Sequence, residues 1–282
     1  MAAQDVKPDL RHEPATTAAA PKPAGTTPLV ELAAVGKTYA ARDGSPVQAI
    51  AAVSATVSAG EFVSILGPSG CGKSTLLMMI GGLLRPSSGR ILYRGNELTS
   101  PQPDVGVVFQ DPVLFPWRTV LENVELPGEV TNIPPPQRRD RARALIALVR
   151  LQGFEAKYPA ELSGGMQQRV AIARALMLNP SLLLMDEPFG ALDALTREQM
   201  NLELQRISME SKATVLFVTH SIPEAAFLGN RVFVMSGRPS TVKEIVAIDI
   251  PRPRPIDLMA SDRFGTYVAH LRRLLDVTGD AS

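Results

Sequence analysis

The stretch Gly67-Pro68-Ser69-Gly70-Cys71-Gly72-Lys73-Ser74-Thr75 constrains this chain more than any other feature. It follows the apolar run "EFVSIL" and leads at once into "KSTLLMMIGGLL", so it joins a buried strand to a helix. The pattern G-x-x-x-x-G-K-[ST] in that setting is a phosphate-cradling loop. Its glycines let the backbone wrap an anion, with N–H groups and the helix dipole facing the negative charge. Lys73 is expected to reach the β- and γ-phosphates of a nucleotide, the Ser74 hydroxyl to ligate Mg²⁺, and Thr75 to contact the α-phosphate. Cys71 reads as a spacer within the loop.

The pattern on either side is that of an α/β chain. "LVELAAVGKTYA" and "VQAIAAVSATV" read as strands around the turn "RDGSP", and "GRILYRG" and "DVGVVFQ" as two more. Helical periodicity then takes over, with Ala142, Leu145, Ile146 and Val149 spaced for one face. The basic run Arg138 to Arg143 reads as a solvated face of that helix. Residues 111–165 are therefore expected to form a helical insert within an α/β domain spanning 29–250. From Ser163 onward, helices from Ser163, from Ala194 to Glu210 and after Ser221 alternate with "SLLLMDE", "ATVLFVT", "RVFVMS" and "TVKEIVAIDI". That alternation predicts a mostly parallel sheet covered on both faces. "PRPRP" reads as a linker into a C-terminal extension, 251–282, with an amphipathic helix from Arg263 to Leu275. Residues 1–28, rich in Ala, Pro and Thr, read as a disordered tail.

Composition excludes some classes. Over 282 residues, 29 Lys and Arg face 28 Asp and Glu, a net charge of +1, so there is no global basic field of the kind a nucleic-acid binder carries. One cysteine rules out an internal disulfide framework. No apolar stretch approaches the ~18 residues of a membrane span, and the N-terminus lacks a secretory pattern. The expectation is a soluble chain that reaches a membrane only through a partner.

Two further segments carry chemistry. "SLLLMDEP" ends an apolar strand with Asp186 and Glu187, and buried strand ends seldom hold two carboxylates without a task. Strand alternation predicts that they face different ways, one holding Mg²⁺ through water and the other polarising an attacking water. Beside a phosphate loop, this favours nucleotide hydrolysis over mere binding. "ELSGGMQQRVAIARA" is a second anion-type helix start, with Ser163, Gly164 and Gly165 ahead of good helix formers.

"LSGGMQQ" (Leu162 to Gln168) resembles the signature motif of ATP-binding cassette (ABC) ATPases, and the other elements stand around it in order. Gln110 in "VVFQD" resembles the Q-loop glutamine, "LLLMDEP" the Walker B strand, and Ala191-Leu192-Asp193 the D-loop. His220 in "VTHS" resembles the switch histidine, and Tyr39 in "GKTY" the aromatic that stacks on adenine. The resemblance runs from Leu29 to Ile250. It implies a P-loop NTPase (RecA-like) core with an antiparallel β subdomain and an inserted helical subdomain. It implies ATP and Mg²⁺ as ligands, Glu187 as general base, and His220 and Lys73 on the phosphates. Ser74, Gln110 and Asp186 would lie at the metal. Two cassettes would meet head to tail, so that Ser163, Gly164, Gly165 and Gln167, with Asp193, complete the site of a second copy or of a homologous cassette.

The resemblance also implies work at a membrane. A single cassette without a span pairs with separate permease subunits on the cytoplasmic face. Leu114, Phe115 and Trp117, just after Gln110, stand where a permease helix would dock. Trp117 is either that interface anchor or a core residue. "DPVLFPWRTVLENV" and the C-terminal tail resemble the nitrate/sulfonate/taurine importers, whose complexes include an extracytoplasmic solute-binding protein. An exporter or lipid-transporter ATPase is the alternative. A DNA-repair or translation ABC protein fits less well, because long coiled-coil insertions and a second cassette are both missing.

Overall fold

The computed structural model describes residues 28–41 and 43–276. The tail expected over 1–28 thus lies outside the described residues, save for Pro28. Two antiparallel strands open the fold, β1 (Val30–Ala40) and β2 (Pro46–Val57), followed by β3 (Phe62–Leu66) and α1 (Lys73–Ile80). Next come β4 (Ser88–Tyr93), a short β5 (Asn96–Glu97) and β6 (Val105–Val108). Three helices then run in succession: α2 (Val120–Val130), α3 (Pro135–Leu148) and α4 (Gly164–Ala175). The chain continues through β7 (Leu182–Asp186), α5 (Ala194–Ser211), β8 (Thr214–Thr219), α6 (Ile222–Leu228) and β9 (Arg231–Met235), and ends with β10 (Val242–Ala247) and α7 (Asp262–Asp276).

The strands form two sheets. One is antiparallel, in the order β2-β1-β4-β5; the other has six strands in the order β10-β9-β3-β8-β7-β6. Within the second, β9, β3, β8, β7 and β6 are parallel and only β10 runs antiparallel. Strand alternation makes this sheet the middle layer. Val63 and Ile65, Leu182 and Leu184, and Leu216 and Val218 pack toward α1 and the antiparallel sheet. Their neighbours Phe62 and Leu66, Leu183 and Met185, and Val215 and Phe217 pack toward the helices on the other face. A sheet buried on both faces calls for near-continuous apolar strands, and the sequence supplies them.

Two expectations are corrected. The basic run on α3 is not simply a solvated face. Arg138 and Arg139 reach the buried carboxylate of Glu125 on α2, at 3.9 and 3.2 Å. Arg141 donates to Met177 O at 2.6 Å and Leu176 O at 2.9 Å, supplying a cation to the carbonyls just past the C-terminus of α4. These arginines tie α2, α3 and α4 together. Nor is "PRPRP" simply a linker: its prolines are exposed, but Arg254 is only 1% exposed. Its guanidinium donates to the carbonyls of Ala226, Phe227 and Gly229 at the end of α6, and to Ile248 and Ile250. Burial pulls its pKa down to about 10, so it stays charged at neutral pH. Beyond it, α7 buries Phe264 and Leu271 against the helical face of the sheet.

Candidate functional site

The phosphate loop leaves β3 and closes into α1 with two glycines in the left-handed region, Gly70 (φ +73°) and Gly72 (φ +110°). Gly67 is required for a different reason: a side chain there would come 2.9 Å from the Met235 Cβ and 3.0 Å from the Cys71 Sγ. Cys71 is buried, and burial pushes its thiol pKa up, which suits a packing spacer. The loop opens on a cavity of about 370 Å³ lined by Ser69, Gly70, Gly72, Lys73, Ser74, Thr75, Gln110, Glu187 and Arg238. Tyr39 reaches the same helix start, its hydroxyl 3.4 Å from the Thr75 Oγ1; the residue is exposed, and the Lys37 ammonium lies 5.3 Å from its ring centroid.

The chemistry-bearing side chains converge here. Lys73, 4% exposed, donates to Gly67 O and Pro68 O, both at 3.0 Å, and lies 3.6 Å from a Glu187 carboxylate oxygen. Ser74 Oγ donates to Asp186 Oδ1 at 2.9 Å. The other Glu187 oxygen lies 2.9 Å from His220 Nδ1. Asp186 is held above the usual carboxylate range, first by burial and also by the neighbouring charge of Glu187.

The expectation that alternation would send the two acids different ways is overturned. β7 ends at Asp186, and Glu187 sits past it at φ +44°, a left-handed conformation that a non-glycine residue adopts at a cost. That turn swings Glu187 back beside Asp186, so both carboxylates face the phosphate loop. No sequence pattern announces the conformation.

A half-buried carboxylate next to a hydroxyl is a fitting pair of donors for Mg²⁺, which takes hard oxygen ligands and fills the rest of its shell with water and substrate phosphates. Among the described residues no group of three or more His, Cys, Asp or Glu could cage a metal alone. The donor set therefore suits an ion that arrives with a phosphate ligand.

The signature residues are elsewhere. None of Ser163, Gly164, Gly165, Gln167 and Asp193 lines this cavity. Ser163 caps α4, accepting from Met166 N at 3.3 Å, and both Ser163 and Gly164 are exposed. Gly165 is buried; a side chain there would stand 3.1 Å from Thr196 on α5. The Gln167 amide donates to Pro159 O at 3.0 Å, holding the loop that precedes the helix. Asp193 caps α5, accepting from Thr196 N at 3.0 Å and from the Thr196 hydroxyl at 2.7 Å. That hydroxyl bond holds its carboxyl below the usual range.

Sequence reasoning missed the grip of α4 on the segment around Gln110. Buried Gln168 donates to Phe109 O at 3.2 Å, and Arg174 donates to Val113 O and Pro112 O, each at 2.8 Å. The signature helix thus holds both ends of that turn. The turn borders an apolar groove of about 470 Å³, lined by Phe109, Val113, Phe115, Leu126 and Val130 among others. Phe115 faces the groove, Trp117 is 68% exposed and stacks edge-on with Phe115 at 5.2 Å, and Leu114 turns inward against the core. The core alternative for Trp117 is thereby removed, while Leu114 is half-buried. Among the described residues no helix is long and apolar enough to cross a membrane.

Comparison with known proteins is consistent with this geometry. A family model described as "ABC transporter" matches residues 50–190. An uncharacterized ABC transporter ATP-binding protein of Methanocaldococcus jannaschii is 51% identical over 212 residues, covering 75% of this chain and 79% of that one. The aliphatic sulfonates import ATP-binding protein SsuB of Bacillus cereus is 43% identical over 225 residues, covering 80% of this chain and 88% of its own. The nitrate import ATP-binding protein NrtC of Synechococcus elongatus is 48% identical over 207 residues, covering 72% of this chain and 31% of its own. Among solved structures, a dimeric ATP-binding cassette bound to ADP and Pi superposes with a TM-score of 0.69 at 36% identity, covering 79% of this chain and all of that one. A phosphate loop, a paired-acid strand end and a signature helix in this arrangement, with relatives this similar along most of its length, mean that the chain belongs to the ABC transporter family and is one of its ATP-hydrolysing cassettes.

Proposed function

We propose that this cassette powers solute import through separate membrane subunits, hydrolysing Mg²⁺-ATP on the phosphate loop of each of two head-to-tail copies. The observation that carries the hydrolytic half is the position of Glu187, with one carboxylate oxygen 3.6 Å from Lys73 and the other 2.9 Å from His220. In this reading Lys73 exchanges the Gly67 and Pro68 carbonyls for β- and γ-phosphate oxygens. Tyr39 stacks on the base, and the loop N–H groups and Thr75 hold the remaining phosphates. Glu187 takes the proton from the attacking water while His220 fixes the carboxylate and reaches the γ-phosphate. Ser74, and Asp186 through water, would hold Mg²⁺, which supplies charge neutralisation on the phosphate oxygens. Gln110, on the lip of the same cavity, orients the water and reports the state of the site to the segment behind it.

The separation of Ser163 and Gly164 from the Lys73 cavity supports completion of the site by a second copy. The capped first turn of α4 offers N–H groups and a positive dipole end to the partner's γ-phosphate. ATP then holds the pair together and hydrolysis releases it. Glu187→Gln tests the core of this reading. Turnover should fall by at least ~100-fold, the loss expected for a general base, while an ATP-bound dimer accumulates on gel filtration. Hydrolysis at the wild-type rate would overturn the assignment.

Exposed Trp117, packed against Phe115 beside an apolar groove, supports docking of a permease helix at this face. The relatives named for sulfonate and nitrate import favour an importer of small oxyanions. Such an assembly places the cassette on the cytoplasmic face of the membrane, with a solute-binding protein on the far side. Co-purification with a permease, followed by stimulation of ATPase activity by sulfonates or nitrate, is the corresponding test.

A further inference from the structure

One cation at the mouth of the nucleotide cavity has no task in the account above. Arg238 lies in the turn between β9 and β10 and lines the same cavity as Lys73, Ser74 and Glu187. The turn is fixed rather than loose. Its buried Ser240 bridges to β2, with its N–H donating to Ala49 O at 3.1 Å and its carbonyl accepting from Ala51 N at 2.9 Å. The turn also abuts the phosphate loop: a side chain at Gly72 would stand 3.4 Å from Ser240 Oγ. Arg238 Nε donates to the carbonyl of Gly70, which aims the guanidinium along the rim of the loop.

Charge decides what this arrangement is for. Of the charged side chains lining the cavity, Lys73 is engaged by Glu187, and Arg238 has no carboxylate within ion-pair distance among the described residues. Without Arg238 the lining is close to neutral, a poor match for a polyphosphate. A planar guanidinium offers several donors, and one taken by Gly70 leaves others for phosphate oxygens. Resting on the nucleotide-site reading above, we propose that Arg238 is a nucleotide-binding residue that pairs from outside the loop with the α- and β-phosphates that ATP and ADP share.

The test is calorimetric titration of the full-length chain with Mg²⁺-ADP, alongside steady-state ATPase kinetics. Arg238→Gln should weaken ADP about five- to tenfold, as for loss of one charge-assisted contact at a partly exposed site, and should flatten the dependence of affinity on salt. The KM for ATP should rise by the same factor with kcat within about twofold of wild type. Arg238→Lys should keep most of the affinity, because it keeps the charge. Unchanged ADP affinity in Arg238→Gln would overturn the proposal. So would equal losses in both variants with an unaltered salt slope, since that result assigns Arg238 to loop support. Lys73→Ala separates the two readings. If it loses ADP while Arg238→Gln does not, only the arginine assignment fails; if Lys73→Ala binds ADP normally, the site itself is misassigned.

Discussion

His220 Nδ1 stands 2.9 Å from Glu187 Oε2, across the ends of two neighbouring parallel strands. His220 follows β8 and Glu187 follows β7, so the sheet register sets the pair. The Glu187 N–H donates to Val218 O at 3.0 Å, continuing the ladder past the strand end. A carboxylate in a strained left-handed conformation is held there by this bond and by the imidazole. His220→Ala should lower kcat by about 100-fold with little change in ATP affinity, because the loss is of orientation rather than binding. A matched loss of ATP affinity, measured by titration, would make His220 a binding residue.

Asp186 is the residue where stability and function oppose each other. Burial and the Glu187 charge raise its pKa in the folded chain, so the folded state binds a proton more readily than the unfolded one. The sign follows: this contribution is fully present below the ordinary carboxylate pKa and is lost as pH rises through the raised folded value. Above that value the charged Asp186 destabilises the nucleotide-free chain. Asp186→Asn keeps an acceptor for Ser74 and removes the charge. It should raise the Tm of the nucleotide-free protein by about 2–4 °C, equivalent to about 1 kcal/mol at this chain length, while abolishing Mg²⁺-dependent turnover. A lowered Tm by calorimetry would show that the carboxylate is compensated in the fold.

How much of this was legible beforehand depends on the kind of signal. The phosphate loop, the alternating core and the order of motifs were readable, because glycine spacing and apolar periodicity are local and each has a backbone cause. The convergence of Asp186 and Glu187 was not, since it rests on one positive φ set by the β8 ladder. Arg254 looked like part of a linker because "PRPRP" is polar and proline-rich, and its burial depends on carbonyls at the end of α6, far away in sequence. The arginines of α3 misled for the same reason: their partners sit on α2 and α4. Charged residues that cap or bridge distant elements leave no periodic trace.

Arg254 offers a sharp measure of that long-range wiring. Its removal strands carbonyls of Ala226, Phe227, Gly229, Ile248 and Ile250 in a dry interior, and Gln205, which brackets its backbone at 2.6 and 2.9 Å, loses a rigid partner. Arg254→Ala should cost about 3–5 kcal/mol, the range for breaking a buried charged network. Urea unfolding should show the midpoint falling with the slope unchanged. A loss under 1 kcal/mol would mean that water enters and satisfies these groups.

Trp117 makes the opposite prediction, since so exposed a ring contributes little to the isolated fold. Trp117→Ala should leave Tm and soluble ATPase activity unchanged, a surface substitution within about 0.5 kcal/mol, yet weaken co-purification with membrane subunits. Leu114→Ala, three residues earlier and packed against the core, should do the reverse by costing stability first.

The in-trans reading of Ser163 is open to complementation. Ser163→Arg should bind ATP with wild-type affinity, because Ser163 does not line the Lys73 cavity, but should not hydrolyse it. Lys73→Ala should fail at binding. In a head-to-tail pair, a mixed dimer of the two variants has one site with both defects and one with neither. With random pairing half of the dimers are mixed and each carries one intact site, so an equimolar mixture should recover up to about a quarter of wild-type activity from two inactive proteins. Recovery would require the second copy's signature loop at the first copy's phosphates. A mixture as inactive as its components, with mixed dimers verified by cross-linking, would place Ser163 and Lys73 in the service of the same chain.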